Sequence, residues 1–345
     1  GPLFAVVHAV AAPITALRAP AVRWVNVACL VLTVLLLGRF RDSLCRPRLG
    51  WAAALLAVPF MWPVCGLALT ELPALLGFCL FLVFLWPALD RGGGSGAGPR
   101  ALVAAAGAGV ALGVAILGRQ TYLVAVPCLA CMVLWHRGTA AVAGVAAVVA
   151  LLVSAWLFVV WGGFVPPAQV QVASGLRLDH GWFSCAHFGV AAAILAPRWL
   201  RPRSLTEAVG VVAAGLVMSV VPGVSDWVPC RSLLVRVLGG ATGPLVGRGI
   251  ACAMGIAGVG FLLALGRELR AGARDPGVLF ASLTVASLAL APVAISHTFS
   301  SRYVVGGIPA LALLACRTAP SLAWEVFRTV AGSVVGAGIL ASYYW

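Results

Sequence analysis

The chain has 345 residues, of which 62% are hydrophobic and only 9% charged, with a mean hydropathy of +1.08 and a formal net charge of +14. Soluble domains carry about 25% charged residues, so the composition excludes a soluble globular fold and predicts a polytopic membrane protein. The basic residues stand mostly in short gaps between apolar runs, the pattern of cytoplasmic loops, which argues against nucleic acid as the partner of this charge.

All 23 basic residues are arginine, and asparagine occurs once, at Asn26. Such a skew follows genomic base composition, so the choice of arginine over lysine carries little functional weight. The ten cysteines fall mostly inside apolar runs, where cysteine acts as a small buried hydrophobe. The one C-x-x-C, Cys128 to Cys131, has no histidine cluster or second pair beside it. It reads as packing, and neither a metal nor a cofactor is expected.

In chain order, residues 1–20 contain neither a basic n-region nor a clean apolar run, and are expected as an outer juxtamembrane segment rather than a signal peptide. Because the chain opens at Gly1 and not at methionine, a further segment is expected upstream. Apolar runs then predict helices near 21–38, 50–66, 71–88, 101–118, 119–135, 139–161, 182–197, 205–222, 249–266, 278–295, 303–316 and 322–342. A span needs roughly 20 apolar residues, so the expected fold is an all-α bundle of about twelve membrane helices (ten at the fewest), one transmembrane domain over 21–342. The glycine-rich 89–100 is expected as a flexible cytoplasmic loop, and 161–181 and 223–247 as outer loops.

Strict alternation with 39–49 inside places fourteen arginines in six cytoplasmic loops and eight in outer segments. The positive-inside bias favours that orientation. It also moves Arg119 and Gln120, inside the apolar run "AILGRQTYLVAVP", to an outer turn between two helices, where the cost of a charge in hydrocarbon largely disappears. The same face receives Glu71, the loop with Asp179 and His180, and "SHTFSSRY" with His297, Arg302 and Tyr303.

Arginine can fork two hydrogen bonds onto phosphate oxygens, histidine adds a donor, and tyrosine suits the headgroup level. Arg119 with Gln120, and His297 with Arg302 and Tyr303, are therefore either a phosphate site or an interfacial belt of snorkelling side chains. A general base must be a carboxylate or histidine, and the expected outer acids are Glu71, Asp179 and Asp226. Glu71 is either that base or a first-turn carboxylate that complements a helix dipole. Asp179 and His180 read as an acceptor-contact loop or as solvated loop charge. No P-loop, G-x-S-x-G, H-E-x-x-H or dinucleotide fingerprint occurs.

Several stretches resemble the integral-membrane glycosyltransferases of the GT-C class. "GPLFAVVHAVAAPITALRAPAVRWVNVACLVLTVLLL" resembles the amphipathic piece leading into an arginine-bearing helix, and "LALTELPALL" an outer turn whose acidic residue opens a helix. "GRQTYLVAVP" and "WGGFVPP" are similar to elements of the dolichyl-phosphate-glucose α-1,2-glucosyltransferase branch, and "SSRYVVGGIPALALL" to the Arg-Tyr element of bacterial members.

The resemblance implies inverting transfer of a sugar from a polyprenyl phosphate to a glycan or lipid-linked acceptor on the extracytoplasmic face of a membrane, the inner membrane if the source is bacterial. A carboxylate deprotonates the acceptor, while Arg119, Arg302 and His297 hold the departing phosphate. Members of the class have an acidic residue in a first outer loop, after a first helix. Here the first acid is Asp42, expected inside, so the residue lies upstream of Gly1, or Glu71 replaces it, or the chain is a non-catalytic relative. A transporter of lipid or polysaccharide precursors is the alternative, and it would need polar groups across the whole bilayer.

Overall fold

The computed structural model describes residues 2–39, 50–67, 70–92, 97–164, 166–167, 170, 175–220, 231–272, 274–294, 299–318 and 321–343. They form the helices α1 (Pro2–Thr15), α2 (Ala21–Arg39), α3 (Gly50–Ala57), α4 (Met61–Gly66), α5 (Glu71–Gly92), α6 (Pro99–Gly118), α7 (Ala125–Trp135) and α8 (Ala140–Trp161). The second half adds α9 (Leu178–Leu195), α10 (Leu205–Val220), α11 (Arg231–Gly272), α12 (Pro276–Leu290), α13 (Arg302–Val305), α14 (Ile308–Cys316) and α15 (Leu322–Ala341). No strand occurs among the described residues.

Local chemistry sets several of these boundaries. Proline occupies the first turn of α6, α12 and α14, where its missing N–H has no helical partner to lose. The Asp275 carboxylate accepts from the Val278 N–H at 3.1 Å and starts α12; the Ser321 hydroxyl does the same for Trp324 at the head of α15.

Among the described residues, seven helices are long and apolar enough to cross a membrane. The most enclosed is the α5 span, 72% buried, whereas the spans of α2, α8 and α15 are 28 to 33% buried and turn leucine and valine outward, as at Leu35, Leu152, Val159 and Val330. An apolar exterior around an apolar core fits an integral membrane protein. The expected all-α bundle is thus present. Pro59 lies in a break between α3 and α4, so 50–66 is two short helices and not one span.

Four further expectations are corrected. Of the predicted outer loop 223–247, residues 231–247 belong to the 42-residue α11. The predicted outer loop 161–181 ends early because α9 begins at Leu178, which takes Asp179 and His180 into its first turn. The loop 89–100 is narrowed from both sides, by α5 running on to Gly92 and α6 starting at Pro99. Residues 2–15, expected only as a juxtamembrane segment, form α1, whose Val6, Val10 and Ile14 are exposed on one side while His8 is buried.

Small residues set the spacing of the central helices. A Cβ at Gly109 would lie 2.7 Å from the Ala146 carbonyl oxygen, and one at Gly113 would lie 3.0 Å from that of Ala150, so α6 meets α8 almost backbone to backbone. At the end of α6, a Cβ on Gly118 would lie 2.6 Å from Ala74 Cβ and 2.9 Å from Leu3. This contact holds the last turn of α6 against the first turn of α5, with α1 lying over both.

The helices run between two ends. One gathers the start of α5, the α6–α7 junction and α13. The other gathers the loop 197–204, the end of α11 and the residues after α14. Phe78, Phe81, Phe188, Phe261 and Phe280, all fully buried, fill the core between them.

Candidate functional site

At the first end, chain reversals bring charged residues together. Arg119 terminates α6 in extended conformation, and a 3-10 turn over Gln120–Val124 then redirects the chain into α7. The Tyr122 ring stacks on Phe78 of α5 at 4.7 Å, and its hydroxyl donates to the Gly306 carbonyl at 3.5 Å. Tyr122 therefore ties the turn carrying Arg119 to the one carrying Arg302, although the two are far apart in sequence.

Glu71, 5% exposed, opens α5 between them. Its Oε1 lies 3.0 Å from Arg119 Nη1 and 3.9 Å from Arg302 Nε. Both guanidinium groups also stand over the Tyr303 ring, with their central carbons 5.7 and 5.4 Å from its centroid. That range permits cation–π attraction. The four expected residues Glu71, Arg119, Arg302 and Tyr303 thus form one cluster.

The cluster is incompletely hydrogen-bonded. Neither Glu71 oxygen receives an aligned hydrogen bond, the 3.0 Å Arg119 contact being an ion pair without hydrogen-bond alignment, and Arg302 Nε, within ion-pair range of Glu71, makes no hydrogen bond of its own. Buried charged atoms normally have their hydrogen-bonding capacity filled, because stranding them costs about 1–3 kcal/mol or more. Two guanidinium groups converging on one carboxylate offer spare donors to a second anion.

Gln120 is half-buried at the head of the 3-10 turn, beside the cluster in sequence. His297 and Asp226 lie outside the described residues. Asp179 and His180 part company, because successive residues in the first turn of α9 face different ways. The exposed Asp179 carboxylate accepts from Arg177 Nε and Nη2 at 3.0 and 2.7 Å. The guanidinium beside it holds the Asp179 carboxyl below the usual carboxylate range. His180 is fully buried, 5.9 Å ring to ring from Phe299, which itself lies 6.0 Å from Tyr303. It belongs to an aromatic layer behind the arginines and not to a loop.

Two residues of this end were not legible beforehand. Tyr122 carried a signal, standing three residues after Arg119 in the same polar break. His8 carried none: it is buried on α1, edge-on to Phe4, with neither ring nitrogen hydrogen-bonded. No group of three or more metal-ligating side chains occurs among the described residues.

Comparison with family models, with curated proteins and with solved structures finds no match for this chain.

Proposed function

We propose that the protein is a multi-pass membrane glycosyltransferase of the GT-C kind, which takes a sugar from a polyprenyl phosphate at the end bearing Glu71, the extracytoplasmic one. The observation that carries this reading is the pair of guanidinium groups, Arg119 and Arg302, brought over one tyrosine ring around a carboxylate whose oxygens lack aligned hydrogen bonds. The apolar aromatic core beneath the cluster favours chemistry at one end over a conduit through the bundle.

Glu71 stands between the two guanidinium groups, at the position a phosphate would take. A lipid phosphate entering between Arg119 and Arg302 takes over their donors and frees the carboxylate. Glu71 then accepts the proton of the acceptor hydroxyl while that oxygen bonds to the anomeric carbon. The bond from this carbon to the phosphate oxygen breaks with inversion, and its electron pair leaves on the polyprenyl phosphate. The arginines stabilise the negative charge that grows there, the kind of preorganised electrostatics worth roughly a hundredfold or more in rate. The Tyr303 ring lies beneath both guanidinium groups.

The test is sugar transfer in membranes containing the full chain, offered a panel of polyprenyl-phosphate sugars, together with donor binding by the purified protein. E71Q is expected to bind donor and fail to transfer, and R119Q to lose both. Absence of donor binding in the unaltered protein refutes the proposal. Full turnover by E71Q refutes the role of Glu71.

A further inference from the structure

The opposite end of the bundle carries a second basic site, different in construction. The loop after α9, a 3-10 turn over Pro197–Leu200 followed by residues 201–204, folds over the end of α11. Arg267 of α11 fixes its shape, with Nη2 donating to the carbonyls of Trp199 at 3.0 Å and Arg201 at 3.4 Å, and Nη1 paired with Glu207 at 3.2 Å. The Trp199 indole N–H donates to Glu268 at 3.1 Å, and the second oxygen of Glu268 holds Arg317 at 2.9 Å. Both carboxylates are thereby committed to Arg267 and Arg317.

Arg198, Arg201 and Arg203 lie on the same loop and are exposed, and their guanidinium groups have no carboxylate partner among the described residues, although the Arg203 backbone N–H donates to Glu207 at 2.7 Å. With Arg267 they line a cavity of about 420 Å3. Five arginines facing two glutamates leave three positive charges unbalanced around a concavity with a fixed floor. The positive-inside bias accounts for arginine in a loop; it does not account for a half-open cavity lined by several of them.

A second, smaller cavity of about 200 Å3 shares Arg198 and Thr318 with the first and continues past Pro197 to Trp324 of α15. The Trp324 ring is fixed by its N–H to the Ile194 carbonyl at 3.2 Å. Beyond it α15 turns Val326, Phe327 and Val330 outward. An occupant following this path meets cations first, then an aromatic edge, then an apolar surface. That order is the order of groups in a phospholipid.

We propose that this end binds an anionic phospholipid, its phosphate held by Arg198, Arg201 and Arg203 and an acyl chain laid past Trp324 along α15. The shared chemistry is a phosphate ester, and the apolar continuation selects a lipid over a free phosphate. The site is independent of the glycosyltransferase reading.

The test is native mass spectrometry of the full chain in neutral detergent, titrated with phosphatidylglycerol, with phosphatidylcholine, and with phosphatidylglycerol in competition with glycerol 3-phosphate. The unaltered protein is expected to retain phosphatidylglycerol in preference to phosphatidylcholine, and glycerol 3-phosphate should not displace it. The R201Q/R203Q variant, whose altered side chains are exposed, is expected to bind phosphatidylglycerol roughly thirtyfold more weakly, the loss due to two basic residues near an anionic headgroup. R137Q removes an exposed arginine outside the cavity and should leave binding unchanged. Equal loss in R137Q, no loss in R201Q/R203Q, or displacement by glycerol 3-phosphate each overturns the proposal.

Discussion

The two ends of the bundle hold comparable charges in opposite conditions. Around Arg267 the carboxylates of Glu207 and Glu268 are hydrogen-bonded and the guanidinium is fastened to two backbone carbonyls. Around Glu71 two arginines converge, yet neither carboxylate oxygen is aligned with a donor. The first arrangement shapes a loop, and its own charges are spent on doing so. The second keeps donors in reserve, which is costly for folding and useful for an incoming anion. The difference separates charges that stabilise from charges that wait, and it can be tested by exchanging which property is lost.

The largest expected effect is on the Glu71 side. R302Q removes a side chain whose contact with Glu71 is loose at 3.9 Å. On the proposed function, sugar transfer is expected to fall about a hundredfold, while the thermal midpoint in detergent moves little, since such partly exposed pairs are worth about 1 kcal/mol or less. A large drop in midpoint with transfer intact would reverse the assignment of the two ends. Next in size is R267Q, which releases the 197–204 loop from α11. Loss of its bonds to Trp199 and Arg201 predicts a stability decrease of about 1–3 kcal/mol, measured as a lower midpoint, with donor affinity unchanged. W199F should cost a comparable or smaller amount, about 1–2 kcal/mol, because it removes one indole hydrogen bond to Glu268 and part of a buried ring that packs on Phe261.

How far the sequence foretold this architecture depends on what each residue's neighbours are. The apolar runs were legible because a membrane demands them, and Glu71, Arg119, Arg302 and Tyr303 stood out because each interrupts such a run. Their meeting rests on contacts that no local pattern encodes: Gly118 against Ala74, and the Tyr122 hydroxyl on Gly306. The clamp at the other end was illegible for the same reason, since Arg267 and Glu207 look like ordinary loop and helix-start charges until the fold makes them neighbours. His180 was misplaced because its loop-like surroundings, Arg177, Asp179 and Gly181, conceal the first turn of α9, which directs it inward onto Phe299.

Asp179 gives the smallest effect and the sharpest control, because it carries charge at the same end as Glu71 without sharing its condition. Its carboxylate is exposed and doubly bonded to Arg177, also exposed, so water already solvates both partners and screens their attraction. Since Arg177 depresses the Asp179 carboxyl, any stability from this pair is present above the ordinary carboxylate range and fades only as pH falls through the lowered value. D179N should therefore leave transfer and the midpoint at neutral pH within error of the unaltered protein. Below the carboxylate range the two proteins should converge further. Loss of transfer in D179N at unchanged midpoint would mean that the acceptor reaches across to the head of α9. The functional surface would then extend beyond the Glu71 cluster.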